Sequence, residues 1–343
     1  MPAMPSFRLL RGSTCLVVAT ALLAPLGCAA QSFSHLDWEL VCDNTGSCRA
    51  AGYQPDGDQL AVSVLLTRRA GPATVIEGRV RVGDGEASDD APARVTLVVD
   101  GKPRGAVALG KESLEGALSA AQVDWIVRAA VASGRVVIRD GRREWELSGA
   151  GATAVLLRMD DVQGRLGTPS ALVRKGSRAE AGVPRAVVAP VVVAFRVAPT
   201  RPADAELGPM ILKAAGGGCD ASAESREELR VWRLDERRVL VSTLCWRAAY
   251  NEGYGFWIAN DRAPFEPRFV TDRGQDFDAA TGTISAVQKG RGVGDCTGVD
   301  EWVWDGAGFV HTASSTSGLC KGIAAGGTWN LPTLVSDVKR ARR

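Results

Sequence analysis

Cys42 and Cys48 flank an Asn and a Gly in the stretch "HLDWELVCDNTGSCRA" over 35–50. Two thiols so placed could hold a metal, exchange electrons or staple two strands. A zinc site needs pairs two to four residues apart and four ligands in all. No second pair lies nearby, and the chain has only two histidines, His35 and His311. A redox pair needs Cys-x-x-Cys at a helix start, where the first thiol's pKa falls. The wider spacing, with Gly46 at the bend, predicts a staple across a hairpin instead.

Other residue groups offer chemistry only weakly. Serines are plentiful, but no GxSxG elbow occurs. His311 reads as an ordinary strand histidine, and His35 precedes the first strand. "GRGVGD" at 290–295 spaces glycines like a phosphate loop but lacks the GK[ST] ending. It reads as a turn locked by Cys296. Asp272, Asp276 and Asp278 could offer hard oxygens to calcium, yet the segment lacks the ligand spacing and terminal Glu of an EF-hand loop. A polar hairpin turn is the plainer reading. No metal and no cofactor is implied.

The aromatic group over 250–257 is more suggestive. Tyr250, Tyr254, Phe256 and Trp257 surround Asn251 and Glu252, with Trp302 and Trp304 further on. Tyr and Trp faces beside amides suit a sugar ring or a protein partner, and aromatics on strands also fill small β cores. The binding candidates are Tyr250, Asn251, Glu252, Tyr254 and Trp257. Arg291 and Asp295 join them if Cys296 brings the 290–295 loop close.

The elements that position these residues follow from periodicity. Strands are predicted at 36–41, 48–54, 60–69, 73–82 and 93–99, with a Gly-Pro turn at 99–105. The period then changes: Val123, Ile126, Val127, Ala130 and Val131 fall at helical spacing, between Ser119 as N-cap and Gly134 as stop. A hairpin turning at Asp140-Gly141 and a second helix over about 150–163 follow. Residues 175–204, rich in Pro, read as a linker whose Val-rich run is a candidate edge strand. A short helix over 204–215 precedes strands that include a hairpin turning at Asp305-Gly306. The boundaries predicted are a 1–30 export segment, a 31–174 domain, the 175–204 linker, a 205–336 domain and a 337–343 basic tail. The fold class is α+β, mainly antiparallel β, in two β-rich, disulfide-stapled domains with a few helices.

Composition sets the compartment. The chain has 343 residues, 45% of them hydrophobic, and a net charge of +2. Its cations are dispersed, which argues against nucleic acid. Arg8 and Arg11 precede the apolar "TCLVVATALLAPL" at 14–26, and small residues follow at "GCAAQ". This pattern predicts a cleavable signal peptide and a periplasmic protein. The alternatives are secretion or a lipid anchor at Cys28; Pro25 and Leu26 fit a lipobox poorly. No later apolar run is long enough to span a membrane. Of eight cysteines, Cys15 and Cys28 fall in the export segment, leaving Cys42, Cys48, Cys219, Cys245, Cys296 and Cys320. Six cysteines in an oxidising compartment allow 15 pairings. The layout favours the local set, 42 with 48, 219 with 245 and 296 with 320.

Four segments in order, "DWELVCDNTGSCRA", "WELSGAGATAVLLRMDDVQGRLGTPSAL", "LCWRAAYNEG" and "KGRGVGDCTGVDEWVWDGAGF", resemble a family of bacterial envelope proteins known as domain of unknown function 1176. The first half is also distantly similar to the invasion-associated locus B proteins. The resemblance implies an exported protein with local disulfides and no assigned reaction. In "WRAAYN" an Ala stands where the family pattern leads one to expect Gly. The sequence leans away from an enzyme, toward an envelope module that binds a protein or glycan. A hydrolase using His311 with an acidic residue, a thiol oxidoreductase and an enzyme-inhibitor-like protein are the alternatives.

Overall fold

The computed structural model describes residues 30–57, 60–83, 91–197, 204, 206–216, 219 and 229–341. Apart from Ala30, the predicted export segment lies outside the described residues. The first half opens with β1 (Gln31–His35), β2 (Trp38–Cys42), β3 (Cys48–Tyr53), β4 (Val62–Arg68) and β5 (Ile76–Val82). It continues through β6 (Arg94–Val99), β7 (Lys102–Ala108), β8 (Glu115–Leu118) and helix α1 (Ala120–Val131). β9 (Val136–Arg139), β10 (Glu144–Leu147) and α2 (Ala152–Val162) complete it.

Two antiparallel sheets result, ordered β1-β2-β3-β4-β5-β8 and β10-β9-β6-β7. Alternation explains the first: Trp38, Leu40, Ala50, Val64 and Leu66 face a core shared with Leu97, Ile126, Leu156 and Met159. Helix α1 starts where the sequence predicts, with Ser119 and Gln122 forming a reciprocal capping box. Helix α2 starts at Gly151, whose φ of +92° places a Cα hydrogen where a Cβ would strike the His35 carbonyl. The segment read as a turn at 99–105 instead turns at Asp100-Gly101 and becomes β7. Pro103 is tolerated there because β7 is the sheet edge, where a missing N–H leaves no ladder bond unmade.

The second half holds β11 (Val191–Ala194), α3 (Leu207–Ala214), β12 (Arg230–Arg233), β13 (Arg238–Arg247), β14 (Glu252–Asn260) and β15 (Arg268–Gly274). β16 (Asp276–Asp278), β17 (Thr283–Lys289), β18 (Thr297–Trp304), β19 (Phe309–Thr316), β20 (Leu331–Leu334) and β21 (Asp337–Arg340) follow. Sheets β12-β13-β14-β15 and β16-β17-β18-β19-β20 are each antiparallel. They enclose Leu240, Tyr254, Phe256, Ile258, Phe277, Ile284, Trp302 and Trp304. Helix α3 covers the other face of β13 and β14 through Leu207 and Ile211. Residues 337–340, within the predicted tail, are β21, paired in parallel with β11.

All three cysteine pairs are the local ones: Cys42–Cys48, Cys219–Cys245 and Cys296–Cys320. The first joins directly opposed residues of β2 and β3.

The two halves meet along a seam. The segment between β19 and β20 and the first residue of β20 lie across the outer face of β2–β4, where Ile323, Trp329 and Leu331 bury Val41, Ala51, Tyr53 and Leu65. This is why β2 is buried on both faces.

Candidate functional site

The turn from β13 to β14 and the 289–296 loop come together. Asn251 Nδ2 donates to the Lys289 carbonyl at 2.9 Å, and the Lys289 N–H donates back to Asn251 Oδ1 at 2.8 Å. The side-chain amide so imitates a strand partner and fixes the loop's entry. The Tyr250 hydroxyl reaches the Gly290 carbonyl at 3.4 Å. Arg291 grips Asp295 through two parallel bonds, Nε to Oδ1 at 2.7 Å and NH2 to Oδ2 at 2.5 Å. The Gly322 N–H also donates to Asp295, and the Cys296–Cys320 disulfide ties the loop's exit to the seam segment. The Arg291 hydrogen bond is the main reason that Asp295 ionises below its ordinary range, against the opposing effect of its burial.

The result is a rigid projection. Tyr250 is 45% exposed and Val293 81%, with the Arg291 guanidinium half exposed between its contacts. Glu252 stands beside them, paired with Arg247 at 3.2 Å. The other two candidates lie elsewhere: Tyr254 (7% exposed) and Trp257 (3%) are core residues of β14. Tyr254 packs among the aromatics between the two sheets, and Trp257 lies against Phe269 on the opposite face. Period-2 alternation separates them, and Tyr254 and Trp257 cannot join Tyr250 in one contact face.

His311 has a carboxylate partner. Its Nε2 lies 3.0 Å from Asp300 Oδ1, while Arg273 takes Asp300 Oδ2 at 2.8 Å. The imidazole stacks on Trp302, with ring centroids 4.8 Å apart, and is partly open to solvent. Among the described residues no hydroxyl or thiol hydrogen-bonds its ring. Asp278, one of the residues considered for calcium, closes the turn after β16 through Ala280 N and Thr281 Oγ1. Asp295, Cys296 and Cys320 also cluster, but both sulfurs are in the disulfide and offer no thiolate to a metal.

The segment "RMDDVQGRLGTPSAL" at 158–172 is a buried polar network. Asp160 binds Arg68 at 2.7 Å and accepts the Leu172 and Val173 N–H groups. Gln163 accepts from Arg68 Nε and donates to the Gly46 and Arg68 carbonyls. Arg165 holds Gly71, Thr74, Ser170 and Glu180. Every one of these contacts is internal, so the motif positions loops around a cavity of about 780 Å³ beside α1.

A two-half antiparallel β protein with a seam and three local disulfides is what the chain is by architecture. By sequence it belongs to the DUF1176 family, described as a protein of unknown function, which it matches over residues 32–336. It is 26% identical over 331 residues to the uncharacterized protein YpfG of Escherichia coli (strain K12), covering 89% of this chain and 92% of that one. No solved structure matches the chain significantly. The likeness of the first half to the invasion-associated locus B proteins is not shown. No helix among the described residues is long and apolar enough to cross a membrane.

Proposed function

We propose that the protein is an exported envelope component that works as a non-enzymatic interaction module. Its contact face for a protein partner is Tyr250 together with the 289–295 loop. The observation that supports this reading is an exposed Arg291 and Val293 on a loop fixed at both ends, with the exposed Tyr250 of the β13–β14 turn beside them. Tyr and Arg dominate interface energetics, and a loop already ordered in the free protein loses little entropy on binding. Asn251 and Asp295 serve as positioning residues, and Glu252 lies at the rim. The export signal over 1–30 and the periplasmic location belong to the same proposal.

The test is co-purification from the native envelope at matched protein levels. Tyr250→Ala and Val293→Asp should each lose the partner recovered by the wild-type chain while melting as it does. Retention of the same partner by both would overturn the assignment.

A hydrolase built on His311 is the second reading, supported by the Asp300–His311 pair. That pair resembles the base and orienting carboxylate of a triad without its nucleophile. His311→Ala and Asp300→Asn should leave partner capture intact under the interaction reading.

A further inference from the structure

The parallel pair of β11 and β21 stands apart as a two-stranded sheet. Parallel sheets are ordinarily covered on both faces. This one is covered on a single face: Val192 and Ala194 are buried, while Val191 is 55% and Val193 43% exposed. All four residues of β21 are exposed, and among the described residues no third strand borders it.

The hydrogen bonds fix which backbone groups line the open edge. The Asp337 N–H donates to the Pro190 carbonyl and the Ala341 N–H to the Ala194 carbonyl, each at 2.9 Å. Backbone groups alternate in direction along a strand, so those of Asp337 and Lys339 face β11. The N–H and C=O of Val338 and Arg340 therefore point away from it. Such an open row is a template for another strand.

The charge pattern selects that strand. The edge reads Asp337-Val338-Lys339-Arg340. A second copy pairs with it antiparallel about a twofold axis. Opposed residues must both point toward the partner strand or both away, so the axis passes through a residue. An axis through Asp337, Lys339 or Arg340 sets that charge against its own copy, which destabilises the pair. An axis through Val338 does the reverse. The two Val338 residues exchange both backbone bonds, and each Asp337 stands opposite a Lys339 of the other copy. That opposed pair is of the non-hydrogen-bonded kind, in which side chains lie closest. Within one chain Lys339 Nζ and Asp337 Oδ2 lie 3.3 Å apart, and both side chains are more than half exposed. Arg340 falls opposite the uncharged Ser336. An acidic strand of another protein would answer Lys339 and Arg340 but would meet Asp337. We infer that β21 is a self-complementary edge through which two copies of this chain join into a four-stranded β11–β21 ribbon. The Val338 side chains, exposed in the single chain, meet at its centre. The ribbon is separate from the Tyr250 face and does not depend on it.

The test is sedimentation velocity of the purified full chain, disulfides formed, over about 1–500 µM, since so short an edge makes an interface of the weak class. Wild type should shift from monomer toward dimer across that range. Asp337→Lys and Lys339→Asp should each associate roughly tenfold more weakly, because two cross-strand pairs turn from attraction to repulsion. Both lie on an exposed edge and should melt as wild type does. Mixed one to one, the two variants should associate as wild type does, because a chain with two cations on that face meets a chain with two anions. The double swap Asp337→Lys with Lys339→Asp should also restore association. Tyr250→Ala should associate normally, which separates this inference from the partner face. Wild type that stays monomeric throughout, single variants that associate as wild type does, or a mixture that fails to associate would each overturn it. A monomeric wild type that loses a co-purifying protein on Lys339→Asp would overturn it too and give the edge to that protein.

Discussion

The backbone N–H of Leu319 donates to the Glu39 carboxylate at 2.8 Å, joining residues 280 positions apart. The Tyr53 hydroxyl donates to the same carboxylate. Gly318, at φ +96°, lets the chain pass where any Cβ would collide with that hydroxyl. Lys321 extends the seam to Asp37 at 2.7 Å and to Asp56 at 2.5 Å. The second half is therefore docked on the first through a buried, titratable contact.

Burial raises the Glu39 pKa above its ordinary 4.5 and outweighs the two bonds that favour the anion. The native state then holds this proton more tightly than the unfolded chain. The Glu39 contribution to stability is greatest below about pH 4.5 and declines as pH rises through the raised value. Glu39→Gln keeps an acceptor for Tyr53 and Leu319 without the charge. Chemical denaturation between about pH 4 and 8 should show a flatter decline in the variant. Identical pH slopes would contradict the placement of Glu39.

Asp160 answers the buried Arg68 guanidinium and two loop N–H groups. Asp160→Ala should cost about 3–5 kcal/mol, because it strands a buried cation. Asp161, next in sequence, makes only an exposed pair with Arg158. Asp161→Ala should change stability by less than about 0.5 kcal/mol. Urea unfolding of the two variants side by side checks the contrast; similar losses would mean that the network is not as described.

The Cys296–Cys320 bond closes a sequence separation of 24 and fixes both the contact loop and the seam. The paired Cys296→Ser and Cys320→Ser substitution should cost about 3 kcal/mol in the chain-entropy model. Partner capture should fall with it. Removing Cys42–Cys48, a separation of 6, should cost less, about 2 kcal/mol, and leave capture unchanged. Equal effects on capture would detach the loop from its proposed role.

Much of this fold was legible because its signals are local. Alternation marked β2 through β6, the Ser119–Gln122 box marked α1, and cysteine spacing indicated all three pairs. β1 and β8 were missed because short edge strands of mixed polarity carry no periodic signal. Pro103 looked like a turn because edge position, a tertiary property, is what makes it tolerable. Of the site candidates, Tyr250 and Asn251 do meet the 290–295 loop, but through the Asn251–Lys289 bonds and not through Cys296, whose disulfide runs to Cys320. Tyr254 and Trp257 lie within β14 and are buried, whereas Tyr250 lies in the turn before it and is exposed; aromatic residue type alone does not encode that difference. The Glu39–Leu319 contact had no sequence signal, since it joins residues hundreds of positions apart.

Tyr250 and the 289–295 loop are proposed to touch a protein partner in the envelope. The most direct measurement is photo-crosslinking in living cells from a photoreactive amino acid at position 293, with an exposed control at Lys111. One discrete adduct is expected from position 293, absent from 111 and abolished by Tyr250→Ala in the same chain. No adduct from 293, or an adduct indifferent to Tyr250, would contradict it.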